Sequence, residues 1–164
     1  MNAVFIGRFQ PFHRGHHRVV REHRDGYDRF MLAMGSAETS RTRDNPLTAD
    51  ERMEVIHACF PGLAVIPLAD EGPTEADNRR WAEKLERETG ADVVISQNDL
   101  VQRLVREYTE MNLVAQELYD PDRFSGTELR RRIRGDEPWQ ELVPDCAVDT
   151  VERYANIIAA TGDA

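Results

Sequence analysis

Lysine is almost missing from this chain. Of 21 basic residues in 164, Lys84 is the single lysine and the other 20 are arginine. Acidic residues number 30, so the net charge is −9. An acidic, arginine-rich surface suits a halophilic source, where salt screens attraction between charges. GC-rich codon usage produces the same bias, and the two can coexist. The acidic balance argues against non-specific nucleic-acid binding, so any basic groups that matter act locally. Cysteine is scarce too. Cys59 and Cys146 stand far apart in no CxxC pattern. They are therefore expected to form neither a disulfide scaffold nor a zinc site, and a reducing cytosol is the expected setting. No apolar run approaches the roughly 18 residues of a membrane span. The first apolar run, Ala3 to Ile6, soon meets Arg8, which does not suit a signal peptide. A soluble, cytoplasmic protein without a membrane partner is expected. Also missing are GxxxxGK[ST] and GxGxxG, which excludes a P-loop and a dinucleotide fingerprint. No acid dyad or Ser–His–Asp order points to hydrolysis.

What is present is alternation. Short apolar runs read as buried strands at Ala3–Ile6, Arg29–Met34, Leu63–Leu68, Asp92–Ser96 and Asn112–Leu118. Helical patterns follow at His16–Arg24, from Thr48 to about Phe60, at Glu75–Glu88, Asn98–Tyr108 and Ser125–Arg134, and a last helix runs from about Cys146 to Ala159. Thr48 with Glu51 fits a capping box. With 40% hydrophobic residues, the chain reads as one α/β domain over residues 1–164. The expected architecture is a doubly wound parallel sheet with a helical C-terminus. Ligands of such sheets bind at the carboxyl ends of the strands, near the switch in strand order.

The unusual residues fall on that rim. "FIGRFQPFHRGHHRVV", Phe5 to Val20, places His13 and His16 with Arg8 at a strand-to-helix turn. Imidazoles at i and i+3 share one helical face. Gly15 would let backbone approach a ligand, and a helix N-terminus favours phosphate. Two imidazoles can then donate to phosphoryl oxygens. A metal site is the rival, but no Cys or Glu stands nearby in sequence, so no metal ligand is assigned. His17 points elsewhere and is read as incidental. "FSGTELRRRI" sets Ser125, Gly126 and Thr127 at a helix start, with Arg130 within reach of the same anion. Asn78 and Trp81 share a helix face; Trp81 is either a stacking platform for a flat heterocycle or a core residue. Ser96, Gln97 and Asn98 end a strand and are either ligand groups or a helix cap.

"GRFQPFHRGH" with "SGTELR" resembles the HxGH nucleotidylyltransferase superfamily. "GSA", "NPLTADER", "IPLAD" and "NDLVQRL" add a resemblance to the archaeal nicotinamide-mononucleotide (NMN) adenylyltransferases, over roughly residues 2–145. That resemblance implies a Rossmann-like nucleotidylyltransferase fold and the reaction of NMN with ATP to give NAD and pyrophosphate. It implies that His13, His16 and Arg130 are catalytic and hold phosphates, His16 closest to the α-phosphate. Gly7, Arg8, Phe9, Gly15, Ser125, Gly126 and Thr127 would line the ATP side. Asp70, Asn78, Trp81 and Asn98 would form the acceptor side, with Trp81 on the nicotinamide ring. Mg²⁺ would ride on the ATP phosphates, and the chain would form a homo-oligomer, possibly a hexamer. Three departures touch the acceptor side: Gln97 stands where the family has Gly, the stretch between Asp70 and Asn78 is about four residues long for the family, and Arg43 is one position away from the expected base. A related transferase with another phosphate-monoester acceptor (FMN, phosphopantetheine) or with CTP as donor is the alternative.

Overall fold

The computed structural model describes residues 1–117 and 119–162. Five parallel strands form one sheet: β1 (Asn2–Gly7), β2 (Arg29–Met34), β3 (Ala64–Pro67), β4 (Val93–Ser96) and β5 (Asn112–Ala115). Their order is β3-β2-β1-β4-β5. Six α-helices intervene or follow: α1 (Arg14–His23), α2 (Ala49–Cys59), α3 (Glu75–Thr89), α4 (Asp99–Tyr108), α5 (Gly126–Arg134) and α6 (Val148–Ala160). The expected fold class is what the structure has. The differences are at the ends. α1 begins two residues before His16, because His13 caps it. β5 stops at Ala115, short of the expected Leu118, which lies outside the described residues. Cys146 belongs to a short 3-10 turn, Asp145–Ala147, ahead of α6.

Side chains on successive strand residues point to opposite faces, so the sheet feeds two cores. Ala3 and Phe5, Phe30, Leu32 and Met34, and Val93 and Ile95 join one cluster with residues of α1, α2, α5 and α6. Val4, Met31, Ala33 and Val94 join the other, with Leu85 of α3 and Val105 of α4. Continuous apolar runs are thus explained by burial on both faces.

The chain builds outward from β1 to β3, then crosses back and builds the other way from β4. The switch therefore lies between β1 and β4, which pair from Ala3↔Val93 to Phe5↔Ile95. Beyond their carboxyl ends the two following loops diverge and leave a crevice.

One expectation fails. Cys59, the last residue of α2, and Cys146, in the 3-10 turn, form a disulfide, with Cα atoms 5.1 Å apart. They are separated by 87 residues, and only the packing of that turn on α2 brings them together. No local sequence pattern could announce the pair. No helix among the described residues is long and apolar enough to cross a membrane.

Candidate active site

The crevice is a cavity of about 1010 Å³. Ile6 and Gly7 from the end of β1 and Ser96 and Gln97 from the end of β4 form its floor. Every residue expected to act there lines it, except Gly15.

His13 and His16 owe their placement to a helix cap. His13 is the N-cap of α1, and its Nδ1 accepts from the Gly15 N–H at 3.0 Å. The Nδ1 of His16 accepts from the His13 N–H at 3.2 Å. The HxGH spacing is thus a capping box built from imidazoles. Each ring uses Nδ1 as an acceptor, so a neutral ring carries its proton on Nε2. Neither Nε2 has a protein partner among the described residues. The rings stack with centroids 3.7 Å apart, and Phe12 and Phe9 support His16 at 5.6 and 4.8 Å. Burial, reinforced by the nearby Arg130 charge, drives the His13 pKa down to about 3. Burial, with His13 beside it, lowers that of His16 well below its ordinary value. Both are neutral N–H donors at neutral pH.

Arg130 supplies the charge. It is 6% exposed and donates from Nη1 to the Gln10 carbonyl at 2.9 Å. Asp44 lies 3.9 Å from Nη2. Its Nε is buried with no partner, which costs about 1–3 kcal/mol unless a ligand accepts from it. Burial lowers its pKa to about 10, against the pull of Asp44 and with help from Arg134 and Arg8, so the guanidinium stays charged. Ser125 caps α5, its Oγ accepting from the Glu128 N–H at 3.1 Å. Thr127 is exposed on the cavity wall. A Cβ on Gly126 would stand 2.7 Å from Arg130 Nη1, so glycine there makes room for the guanidinium.

Gly15 also makes room for its neighbour: a Cβ there would meet the His13 ring at 2.8 Å. It lines a second cavity of about 20 Å³ with His13 and His16. Gly7 similarly admits the Phe9 ring, 2.9 Å from its would-be Cβ. Phe9 is buried and holds a left-handed backbone, φ 53°. It acts chiefly as a support for His16. Arg8 is exposed on the cavity rim.

On the far side, Trp81 is half-buried, with one part packed on the second core cluster and another lining the cavity. Asn78, one turn earlier, bonds Glu75 through Nδ2 at 3.4 Å. Asp70 is exposed and accepts from Ser36 Oγ at 2.9 Å. Asn98 caps α4, its Oδ1 accepting from the Val101 N–H at 3.1 Å. Gln97 is not among the residues with positive φ, so a side chain is tolerated where the family has glycine.

Sequence reasoning missed two supports. Arg52 on α2 is fully buried; the Glu38 charge acts on it from a distance, but its hydrogen bonds among the described residues go to carbonyls. It donates to five carbonyls: Thr48 from Nε at 3.3 Å, Arg8 and Gly35 from Nη1 at 3.0 Å each, and Ser36 and Ala37 from Nη2 at 3.1 and 3.4 Å. It therefore ties the loops after β1 and β2 to each other. Gln10 is buried too; its amide pairs with the N–H and carbonyl of Leu47 at 2.9 Å each, which fixes the carbonyl that Arg130 uses. A charged residue at a helical position reads as solvated, and the partners of both Arg52 and Gln10 lie far off in sequence, so neither signal was visible.

The cytidylyltransferase-like family matches residues 4–132 of this chain. A nicotinamide-nucleotide adenylyltransferase of Methanosarcina acetivorans is 36% identical over 157 residues, covering 93% of this chain and 88% of that protein. One of the same name from Haloarcula marismortui is 35% identical over 162 residues, covering 96% and 84%. In fold, the chain superposes on a bifunctional NMN adenylyltransferase/ADP ribose pyrophosphatase from Francisella tularensis with a TM-score of 0.80, at 18% identity. The match takes in 99% of this chain and 52% of that one, so the chain spans about half of its length. Sheet order, crevice and HxGH turn thus coincide with the sequence matches, and the chain belongs to the cytidylyltransferase-like family, among its archaeal nicotinamide-nucleotide adenylyltransferases.

Proposed function

We propose that this chain transfers the adenylyl group of ATP to the phosphate of NMN, giving NAD and pyrophosphate. The carrying observation is that one cavity is lined by two neutral imidazoles with unpartnered Nε2 groups and by a buried guanidinium whose Nε has no partner among the described residues. A phosphate-monoester oxygen of NMN attacks the α-phosphorus of ATP. The new P–O bond forms as the bond from that phosphorus to the bridging oxygen of the β-phosphate breaks. The attacking phosphate, with its second pKa near 6, is largely ionised at neutral pH, so no general base is required. The protein's work is to hold the reactants in line and to stabilise charge on the equatorial and leaving oxygens.

In this reading His16 donates to the α-phosphate and His13 to the neighbouring phosphate. Arg130, Ser125 and Thr127 hold the departing pyrophosphate, with Arg8 at the rim. Trp81 stacks on the nicotinamide and Asn78 bonds its amide, while Asp70 and Asn98 lie along the nucleotide. The donors at the phosphate end are N–H groups, which suit phosphate oxygens rather than a hard cation. Mg²⁺ fits as an ion that takes its oxygens from the triphosphate and water; it would neutralise phosphate charge. A cytoplasmic homo-oligomer, with a hexamer as the form to test for, is part of the proposal, as is adaptation to high salt, which the charge of −9 supports.

The test is to supply the purified protein with ATP and Mg²⁺ at low and multimolar KCl, with NMN, FMN or phosphopantetheine in parallel, and to measure product and pyrophosphate. NAD formation with NMN alone is expected. Turnover of another acceptor, or none, would overturn the assignment. Light scattering on the same sample reads the oligomeric state.

A further inference from the structure

Four of the five histidines have a hydrogen bond at a ring nitrogen. Those of His13 and His16 form the cap; His23 Nε2 lies 2.7 Å from Gln116 Oε1, and His57 Nε2 lies 2.9 Å from the Leu63 carbonyl. His17 is the exception: among the described residues neither of its ring nitrogens has a hydrogen-bond partner. Its ring rests on Phe60, with centroids 5.1 Å apart. It faces the Cys59–Cys146 pair, and one ligand atom from each of the three residues lies within 4.8 Å of the others. None of the three lines the active-site cavity.

We propose that, when the disulfide is opened, His17, Cys59 and Cys146 form a binding site for a soft, zinc-class divalent cation. Opening needs a two-electron reductant: a dithiol supplies two electrons and two protons and leaves as its own disulfide, whereas a phosphine supplies the electrons, takes oxygen from water, which supplies the protons, and leaves as its oxide. The two thiols then release their protons as the thiolates bind the cation. Two thiolates and an imidazole are the donor set that zinc-class ions prefer. Metal–sulfur bonds of about 2.3 Å and a metal–nitrogen bond of about 2.0 Å require sulfurs roughly 3.8 Å apart and nitrogen roughly 3.5 Å from each. With all three ligand atoms within 4.8 Å of one another, the shifts required are small: the sulfurs separate once the disulfide opens, and the imidazole closes on both. Cys146 is exposed on a short turn and is the ligand with room to move. The fourth position would be open to water. The disulfide joins α2 to the turn before α6; the cation would also tie in α1, one residue from His16. Reducing conditions would then exchange one cross-link for another.

The test uses the full chain, reduced with a phosphine, freed of reductant without air, and shown by thiol titration to carry two free thiols. Co²⁺ is then added. One equivalent is expected to bind with the intense sulfur-to-metal charge-transfer band of a thiolate site, and Zn²⁺ is expected to bleach it. Cys146→Ser should abolish the band. His17→Ala should weaken Co²⁺ binding by at least about tenfold, the scale on which even outer partners act, while circular dichroism confirms its fold. The proposal is overturned if the thiols cannot be freed in the folded protein, if two free thiols give no band, or if His17→Ala binds like the parent chain.

Discussion

The two ends of the cavity, one lined by His13, His16 and Arg130 and proposed for phosphate, the other by Asp70, Asn78, Trp81 and Asn98 and proposed for the acceptor, hold their polar groups in opposite ways. His13, His16 and Arg130 are buried, and each is fixed by a second bond made on its far side: the cap of α1 for the imidazoles and the Gln10 carbonyl for the guanidinium. Asp70 and Asn98 are exposed, and Asn78 and Trp81 are half-buried on α3. At the first end a side chain serves the fold with one atom and faces the cavity with another. At the second, Asn98 caps α4, Asp70 bonds Ser36, and Trp81 is placed by its helix and by packing on the second core cluster. Charge stabilisation at phosphorus demands donors that need no reorganisation when the reaction occurs. Binding a base tolerates adjustment, which is where Gln97 and the stretch from Asp70 to Asn78 depart from the family pattern.

The comparison can be broken from either end. The largest effect is expected at Arg130: Arg130→Ala should lower kcat about 10³-fold, and His16→Ala at least about 10²-fold, in steady-state assays. Rates near those of the parent chain would place the phosphates elsewhere. Arg52→Ala comes next. Five carbonyls would lose their donor, which should cost about 3 kcal/mol or more and lower Tm by roughly 6 °C or more. An unchanged Tm would mean that the loops after β1 and β2 hold themselves. Trp81→Ala should raise the KM for NMN about tenfold, the scale of one base–aromatic stack, and leave that for ATP unchanged. Equal effects on both would identify a core tryptophan.

A further effect concerns acid. The folded-state pKa of His13 is about 3, below the unfolded value of 6.5. Between those values the unfolded chain binds more protons. The stability that a neutral His13 preserves is therefore complete above pH 6.5 and is lost progressively as pH falls toward 3, by at most about 1.4 kcal/mol per pH unit. His13→Asn should flatten this slope in urea titrations at graded pH. An equal slope would show that His13 is not the group responsible.

The sheet was legible because burial on both faces leaves continuous apolar runs, and Arg29–Met34 matches β2 residue for residue. The residues of the phosphate end were legible as a pattern, but the reason for their spacing was not. His13 as a cap, Gly15 as space for a ring and Phe9 as a support depend on how the turn closes in three dimensions. The Cys59–Cys146 pair and the five bonds of Arg52 join segments remote in sequence; local reading expected no disulfide and assigned Arg52 no role.

The account rests on two neutral imidazoles that carry their protons on Nε2. Nitrogen-15 NMR of the histidine rings, in the free protein and with ATP, tests it most directly. The account predicts Nε2–H tautomers for His13 and His16 at neutral pH, titration of both only well below the ordinary imidazole range, and Nε2 shifts when ATP binds. An imidazolium signal or an Nδ1–H tautomer at neutral pH would contradict it.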